Sequence, residues 1–255
     1  MSIESYIGGL NLSGEAVPLG RITVKGGPRQ PVKPLTLPDN LNAAVDAGSV
    51  LSFVSGVDAN EKADILFSVQ LAQRAANAAV DRYAQTRAWY SKYNEVLEAV
   101  GWATEQYAFA AHKQAEGDFR MDKEALAVVA AIATGNQLQV LTASISALEE
   151  LAAGDGAIML FDTHAAADLS GNFQIGAVQK GTNGSLSMAL GAFYFHTTDQ
   201  RSKFLFFQWG GNDVNFWTAA TKMTFNRAIY DKLRDTVEDK LGKKALDFIS
   251  KLDIS

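Results

Sequence analysis

The hydrophobic and polar positions divide the chain into a helical part and an alternating part. From Val57 to Val100 there is neither glycine nor proline, and Ile65, Val69, Ala72, Ala76, Val80 and Tyr83 recur at spacings of three and four. That period predicts one amphipathic helix, capped by Asp58 with Glu61 three residues on and ended by Gly101. Unbroken, it would span on the order of 60 Å, so a bend near Thr86 is expected. The stretch 41–55 reads as a short helical region broken at Gly48. A strand is expected over 102–113, where Tyr107 and Phe109 alternate, then a turn over 116–120. Asp122 is placed to cap a helix through Thr134, and a second helix is expected over 137–153.

Past Gly154-Asp155-Gly156 the period falls to two, and turn residues punctuate short segments. Strands are expected over 157–162, 172–180, 185–196, 203–209 and 214–220, joined as an antiparallel meander with a hairpin at Gly181-Thr182-Asn183-Gly184. Along 185–196, Leu186, Met188, Leu190, Ala192 and Tyr194 share one face, while Ser185, Ser187, Ala189, Gly191, Phe193 and Phe195 share the other. One end is apolar on both faces, so helices are expected to cover both sides of the sheet centre, with the long first-half helix as the cover of the phenylalanine-rich strands. Asn226 is placed to cap a closing helix through Leu241, whose Ile229, Leu233, Val237 and Leu241 should face inward. Gly242 separates this helix from 243–252.

All five prolines fall within the first 38 residues, which predicts an extended arm carrying a short strand over 19–25. The expected fold is α+β in a single domain, an antiparallel β-meander covered by long amphipathic helices. Its parts are the proline-rich arm 1–38, a mainly helical 41–153, the sheet 157–220 and C-terminal helices over 226–252.

Composition narrows the functions. The 255 residues are 47% hydrophobic, enough for a sizeable core, and the formal charge of −5 repels phosphate backbones, so no nucleic-acid partner is expected. There is no cysteine, which excludes disulfides, thiolate nucleophiles, zinc–thiolate sites and cysteine acylation. The start of the chain lacks the basic and apolar pattern of a secretory signal. A soluble protein, cytoplasmic as synthesised and exported, if at all, without a cleavable signal, is expected. The uncharged run 125–148 is interrupted by Gly135-Asn136-Gln137 and reads as a buried helical pair, not a membrane span.

No phosphate-binding glycine loop, Gly-x-Ser-x-Gly elbow, His-Glu-x-x-His pair or EF-hand loop is present, and neither cofactor nor metal is expected. The polar site that remains is His164 with Asp162 and Asp168, near Ser170, where a general base could serve a hydrolase. Its alternative is an incidental histidine on an alanine-rich loop. Aromatic residues crowd the region from Phe193 to Trp217. They are either sheet core or the contact for an apolar ligand or a membrane interface exposed when a covering helix moves. The candidates for such contact are Trp209, Trp217, Phe193, Phe195 and Phe207, with Trp209 and Trp217, near turns, expected to be the exposed members.

The pattern Trp89-Tyr90, Val96-Leu97-Glu98, Gly101-Trp102, Ile132-Ala133-Thr134-Gly135-Asn136 and Gly171-Asn172-Phe173-Gln174-Ile175-Gly176 resembles the Evf-type bacterial virulence factors over most of the chain. The resemblance implies a compact α/β fold and a role in host colonisation. It also implies a lipid-bearing cysteine, for which this chain has no counterpart. The expected function is that of a non-enzymatic, virulence-associated effector that binds a lipid, another apolar ligand or a host protein. The alternatives are a self-assembling structural protein that forms homo-oligomers through sheet edges and the arm, and a hydrolase using His164.

Overall fold

The computed structural model describes residues 2–14, 37, 41–104, 107–112, 119–210 and 212–254. All five prolines, the strand expected over 19–25 and most of the turn expected over 116–120 lie outside the described residues. The start of the presumed arm is helical instead: Ser2 accepts from the Ser5 amide and caps α1 (Ile3–Gly9).

The next segment corrects the helix expected over 41–55. Strands β1 (Ala43–Asp46) and β2 (Ser49–Phe53) form a tight hairpin, with Val45 opposite Val50 and Ala47 at φ 51° in the turn. Both strands are buried on both faces, and such a run lacks the alternation that betrays a half-buried strand.

The long helix is two helices. In α2 (Ala59–Ala79) the capping box forms as expected, with Asp58 accepting from the Glu61 amide and Glu61 from the Asp58 amide, each at 2.9 Å. Helix α3 (Thr86–Ala99) follows after a break. The break comes from Asp81, whose carboxylate accepts from the amides of Tyr83 and Ala84 at 2.9 Å, a local bond that competes with the helical ladder. Thr86, where a bend was expected, opens the second helix.

Two-residue strands β3 (Trp102–Ala103) and β4 (Ala110–Ala111) come next, within the expected strand region. Helix α4 (Met121–Ala130) is not capped by Asp122, which lies in its first turn and is gripped by Arg120 at 2.8–2.9 Å. Helix α5 (Gly135–Glu150) starts at a capping box of Thr134 and Gln137. Among the described residues no helix is long and apolar enough to cross a membrane.

Residues 157–162, expected as a strand, belong to helix α6 (Gly156–Ala165), whose N-cap Asp155 accepts from the Ala157 amide at 2.8 Å. After β5 (Ala166–Ala167), the meander appears as β6 (Ser170–Lys180), β7 (Leu186–Thr197) and β8 (Val214–Phe225), paired antiparallel in chain order. The strand expected over 203–209 is instead a single 3-10 turn at Phe204–Phe206, with only Trp209 bridging to Phe119. The C-terminal helices are short, α7 (Arg227–Tyr230) and α8 (Arg234–Leu241). Residues 249–252, expected within a helix, form β9 (Ile249–Leu252). Of the expected inward ladder, Leu233, Val237 and Leu241 are buried and Ile229 is exposed.

The sheet runs β3-β8-β7-β6-β2-β1-β9, with β4 also on β8 and β5 on β6. It is mixed: β2 and β6 are parallel, with α2 to α6 as the crossover between them, and every other pairing is antiparallel. One face packs under α2, α3 and α8 through Leu51, Phe53, Leu186, Met188, Leu190 and Met223. The other packs under α4, α5 and α6 through Phe173, Phe193, Phe195 and Phe216. The phenylalanine-rich face is therefore covered by the three later helices, and the long first-half pair covers the opposite face.

Phe173 is the hub of that second layer. Its ring stacks on Phe193 at 5.0 Å and lies 5.7–6.3 Å from Phe204, Phe161 and Phe216. Phe173→Ala should lower unfolding free energy by about 3–5 kcal/mol, measured by urea titration; a loss under about 1 kcal/mol would show that the layer can collapse around the gap.

Candidate functional site

The aromatic candidates part company. Phe193, Phe195 and Trp209 are buried: Phe193 stacks on Phe216 at 5.7 Å, Phe195 meets Phe204 at 4.9 Å, and the Trp209 indole donates to the Phe204 carbonyl at 3.2 Å. Phe207 is exposed beside Trp209, with the Arg201 guanidinium 4.9 Å above its ring. Trp217 is half-buried on the opposite face, stacked on Tyr194 at 4.7 Å. Of the two tryptophans expected at the surface, Trp209 is core.

The polar candidates do not converge. His164 sits in α6, not on a loop, and its Nδ1 bonds the Leu160 carbonyl at 2.9 Å within that helix. Burial lowers its basicity. Asp162 accepts from the Lys203 amide at 2.7 Å, and burial pushes its carboxyl up. Asp168 lies in the β5–β6 turn at φ 50°. Ser170 bonds His196 at 2.8 Å, not His164. Among the described residues no three His, Asp or Glu side chains cluster as metal ligands.

The polar chemistry lies elsewhere, under α2 and α3. Helix α2 is buried on every side from Glu61 to Ala76 except at Ala63, so each polar residue on it needs an internal partner. Gln73 clamps the β1–β2 turn, donating to the Asp46 carbonyl at 3.0 Å and accepting from the Gly48 amide at 3.3 Å. Gln70 donates to the Ala245 carbonyl at 2.8 Å, and Arg74 to the carbonyls of Ser13 and Leu241. A second chain of bonds crosses to the sheet: Ser49 donates to Gln174, Gln174 to the Tyr90 hydroxyl, and that hydroxyl to Asn172, at 2.6–2.9 Å. Arg82 donates to the Asn172 carbonyl at 2.8 Å while its guanidinium lies 4.6 Å over the Trp89 ring.

This seam is incompletely paired. Asp46 Oδ2, Gln70 Oε1, Arg82 Nε and Nη1, and the hydroxyls of Tyr93, Tyr107 and Tyr230 are buried with no hydrogen-bond partner among the described residues. Burial raises Asp46 well above the usual carboxylate range, and the hydrogen bond from Gln70 and the nearby Arg74 offset this only in part. Burial likewise pushes Tyr90 and Tyr93 up, so both remain phenols. Sequence reasoning missed the seam; its one signal is Gln70, Gln73 and Arg74 interrupting the apolar stripe of α2.

On the outer side of α3, a groove of about 540 Å³ separates the helix from residues 107–109. Its wall is Arg87, Ser91, Asn94 and Glu98, and its floor is Tyr90, Tyr107 and Phe109. The rings adjoin, with Tyr90 4.8 Å from Tyr107 and 4.9 Å from Phe109, and Phe109 5.1 Å from Tyr194. Arg87 also borders a second recess that reaches Tyr194 and His196.

No protein-family model matches the chain, and no curated protein matches it. Among solved structures it is similar to a delta-endotoxin, with 13% identity over 79% of this chain and 90% of that one at a TM-score of 0.41. It is also similar to the Evf virulence factor, with 11% identity over 80% of this chain and 85% of that one at a TM-score of 0.36. Neither likeness is close enough to carry an argument about function.

Two outcomes test the seam. A raised folded-state pKa at Asp46 means that the folded protein holds a proton which the unfolded chain releases from about pH 4 upward. The Asp46 contribution to stability therefore falls as pH rises above that point. Asp46→Asn should flatten this part of the stability–pH curve in denaturant titrations, whereas an unchanged curve would mean the carboxyl is not buried as a neutral group. Gly48→Ala would place a Cβ 2.5 Å from Arg82 Nη2 and 2.9 Å from the His164 carbonyl. It should cost about 1–3 kcal/mol by overpacking, read as a lower thermal midpoint.

Proposed function

We propose that the protein acts by binding rather than by catalysis, and that its partner is a lipid surface or another apolar ligand taken onto the sheet face beneath α2 and α3. The observation that carries this reading is the unequal pairing of the two covers. Buried polar atoms without partners among the described residues gather under α2 and α3, each costing about 1–3 kcal/mol relative to a satisfied group. Under α4 to α6 the buried polar side chains Asp122, Gln137 and Ser144 are bonded, and among the described residues Asp162 Oδ1 is the one such atom there without a partner. The first-half pair is thus the cover more easily lifted, and lifting it would uncover Leu51, Phe53, Leu186, Met188, Leu190 and Met223 together.

The setting follows the sequence resemblance to Evf-type virulence factors, a virulence-associated effector that works on a host. The absence of a lipid-bearing cysteine means that apolar contact would come from the fold itself.

Hydrogen exchange with and without phosphatidylcholine vesicles tests the proposal. Vesicles should strip protection from amides of α2 and α3 and leave α4 to α6 protected, with the protein co-floating with the lipid. Flotation without deprotection, or no flotation at all, would overturn it. The Ser52 and Ser144 hydroxyls, 2.7 Å apart, join β2 to α5, and a Ser52→Cys, Ser144→Cys disulfide there should leave binding intact. Loss of binding in that locked protein would assign the contact to the other face.

A further inference from the structure

We infer that the groove beside α3 is a binding site for a neutral saccharide. Its volume, about 540 Å³, falls in the range of roughly 300–1,000 Å³ typical of small-ligand sites. Its two sides have different chemistry. The floor presents the rings of Tyr107 and Phe109, both half-buried, above the fully buried Tyr90. Aromatic faces carry partial negative charge and attract the polarised C–H groups on the flat face of a sugar ring. The wall presents planar or hydroxylic polar groups along one stripe of α3, at positions 87, 91, 94 and 98. Successive stripe positions are three or four residues apart and so line one helix face.

Two of these groups are uncommitted: among the described residues Arg87 and Ser91 make no hydrogen bond or ion pair and are exposed. Glu98 accepts from Thr104 at 3.0 Å through one oxygen, and Glu95 at the rim accepts from Tyr6 and Lys92 through one of its own. Each carboxylate keeps a second oxygen for a ligand hydroxyl. A sugar ring supplies both donors and acceptors to such a wall while its carbon face rests on the rings.

Other ligand classes fit one side only. An alkyl chain would suit the floor but strip water from the exposed Arg87 and Glu98 with nothing in exchange. A phosphate would find Arg87 but also Glu95 and Glu98, which repel it. The site stands apart from the lipid reading, because it opens on the outer side of α3 and does not require the helix to lift.

The test is a two-dimensional amide NMR titration of the full chain with cellotriose, maltotriose, chitotriose and mannotriose at millimolar concentration. At least one trisaccharide should give saturable shifts confined to residues 87–98, 107–109 and 194. Arg87→Ala should weaken that response roughly tenfold, and Ser91→Trp, at an exposed helical position, should abolish it by filling the groove while the remaining spectrum stays in place. The inference is overturned if no trisaccharide produces saturable shifts, if the shifts map elsewhere, or if Ser91→Trp binds undiminished. It is equally overturned if adenosine or octanoate shifts these residues and no sugar does.

Discussion

A sheet buried on both faces needs two covers, and here one of the covering helices is itself enclosed. Helix α2 meets the sheet, α3 and the C-terminal elements at once, yet it carries Glu61, Asp64, Gln70, Gln73 and Arg74 among its apolar residues. Each must find a partner without help from bulk water. At its start they do: Glu61 takes Lys180 and Arg227 at 2.7 Å, and Asp64 takes Arg234 through two bonds of 2.7–2.8 Å. These pairs tie the helix to the end of β6 and to the C-terminal helices. Further along, the amide of Gln73 holds the backbone of the β1–β2 turn and that of Gln70 the Ala245 carbonyl, but acceptors and donors are left over. The enclosed helix is therefore tightly specified in position and weakly compensated in energy.

The opposite cover is built differently. Phenylalanine stacks on phenylalanine between β6, β7 and the 3-10 turn at residue 204, and the buried Ser52, Gln137 and Ser144 nearby are each hydrogen-bonded. Close-packed apolar layers resist opening because any gap loses contacts on both sides. A buried polar seam exchanges its partners for water when it opens, so the two faces of one sheet differ in how they respond to a competing surface.

The sequence showed the meander well, because β6, β7 and β8 alternate and the turn at 181–184 has the residues that turn chemistry requires. It showed the capping box at Asp58 for the same reason: the signal is local. The failures share a cause as well. Hairpin β1–β2 is enclosed on both faces and shows no alternation, and α6 is a short apolar run whose period is ambiguous; its clue was Asp155, a good N-cap read as part of a turn. The break at residues 80–85 comes from a side-chain bond that periodicity cannot register. As for the site, aromatic abundance pointed to the sheet, but which rings are core and which face the α3 groove depends on strand parity and on pairings between distant segments. The seam joins Asp46, Gln73, Tyr90 and Asn172, residues with no common motif.

The parallel pairing of β2 with β6 also orders events in time. Residues Ser49 to Phe53 leave the ribosome long before Ser170 to Lys180, with all of α2 to α6 between them, and β1 waits longer still for β9 at the far end of the chain. Until β6 arrives, the hairpin has an open edge and α2 has no sheet to rest on. Such non-local contacts slow folding and leave apolar surface open to aggregation meanwhile. The nascent chain should therefore depend on chaperones during synthesis more than its helical first half alone would suggest.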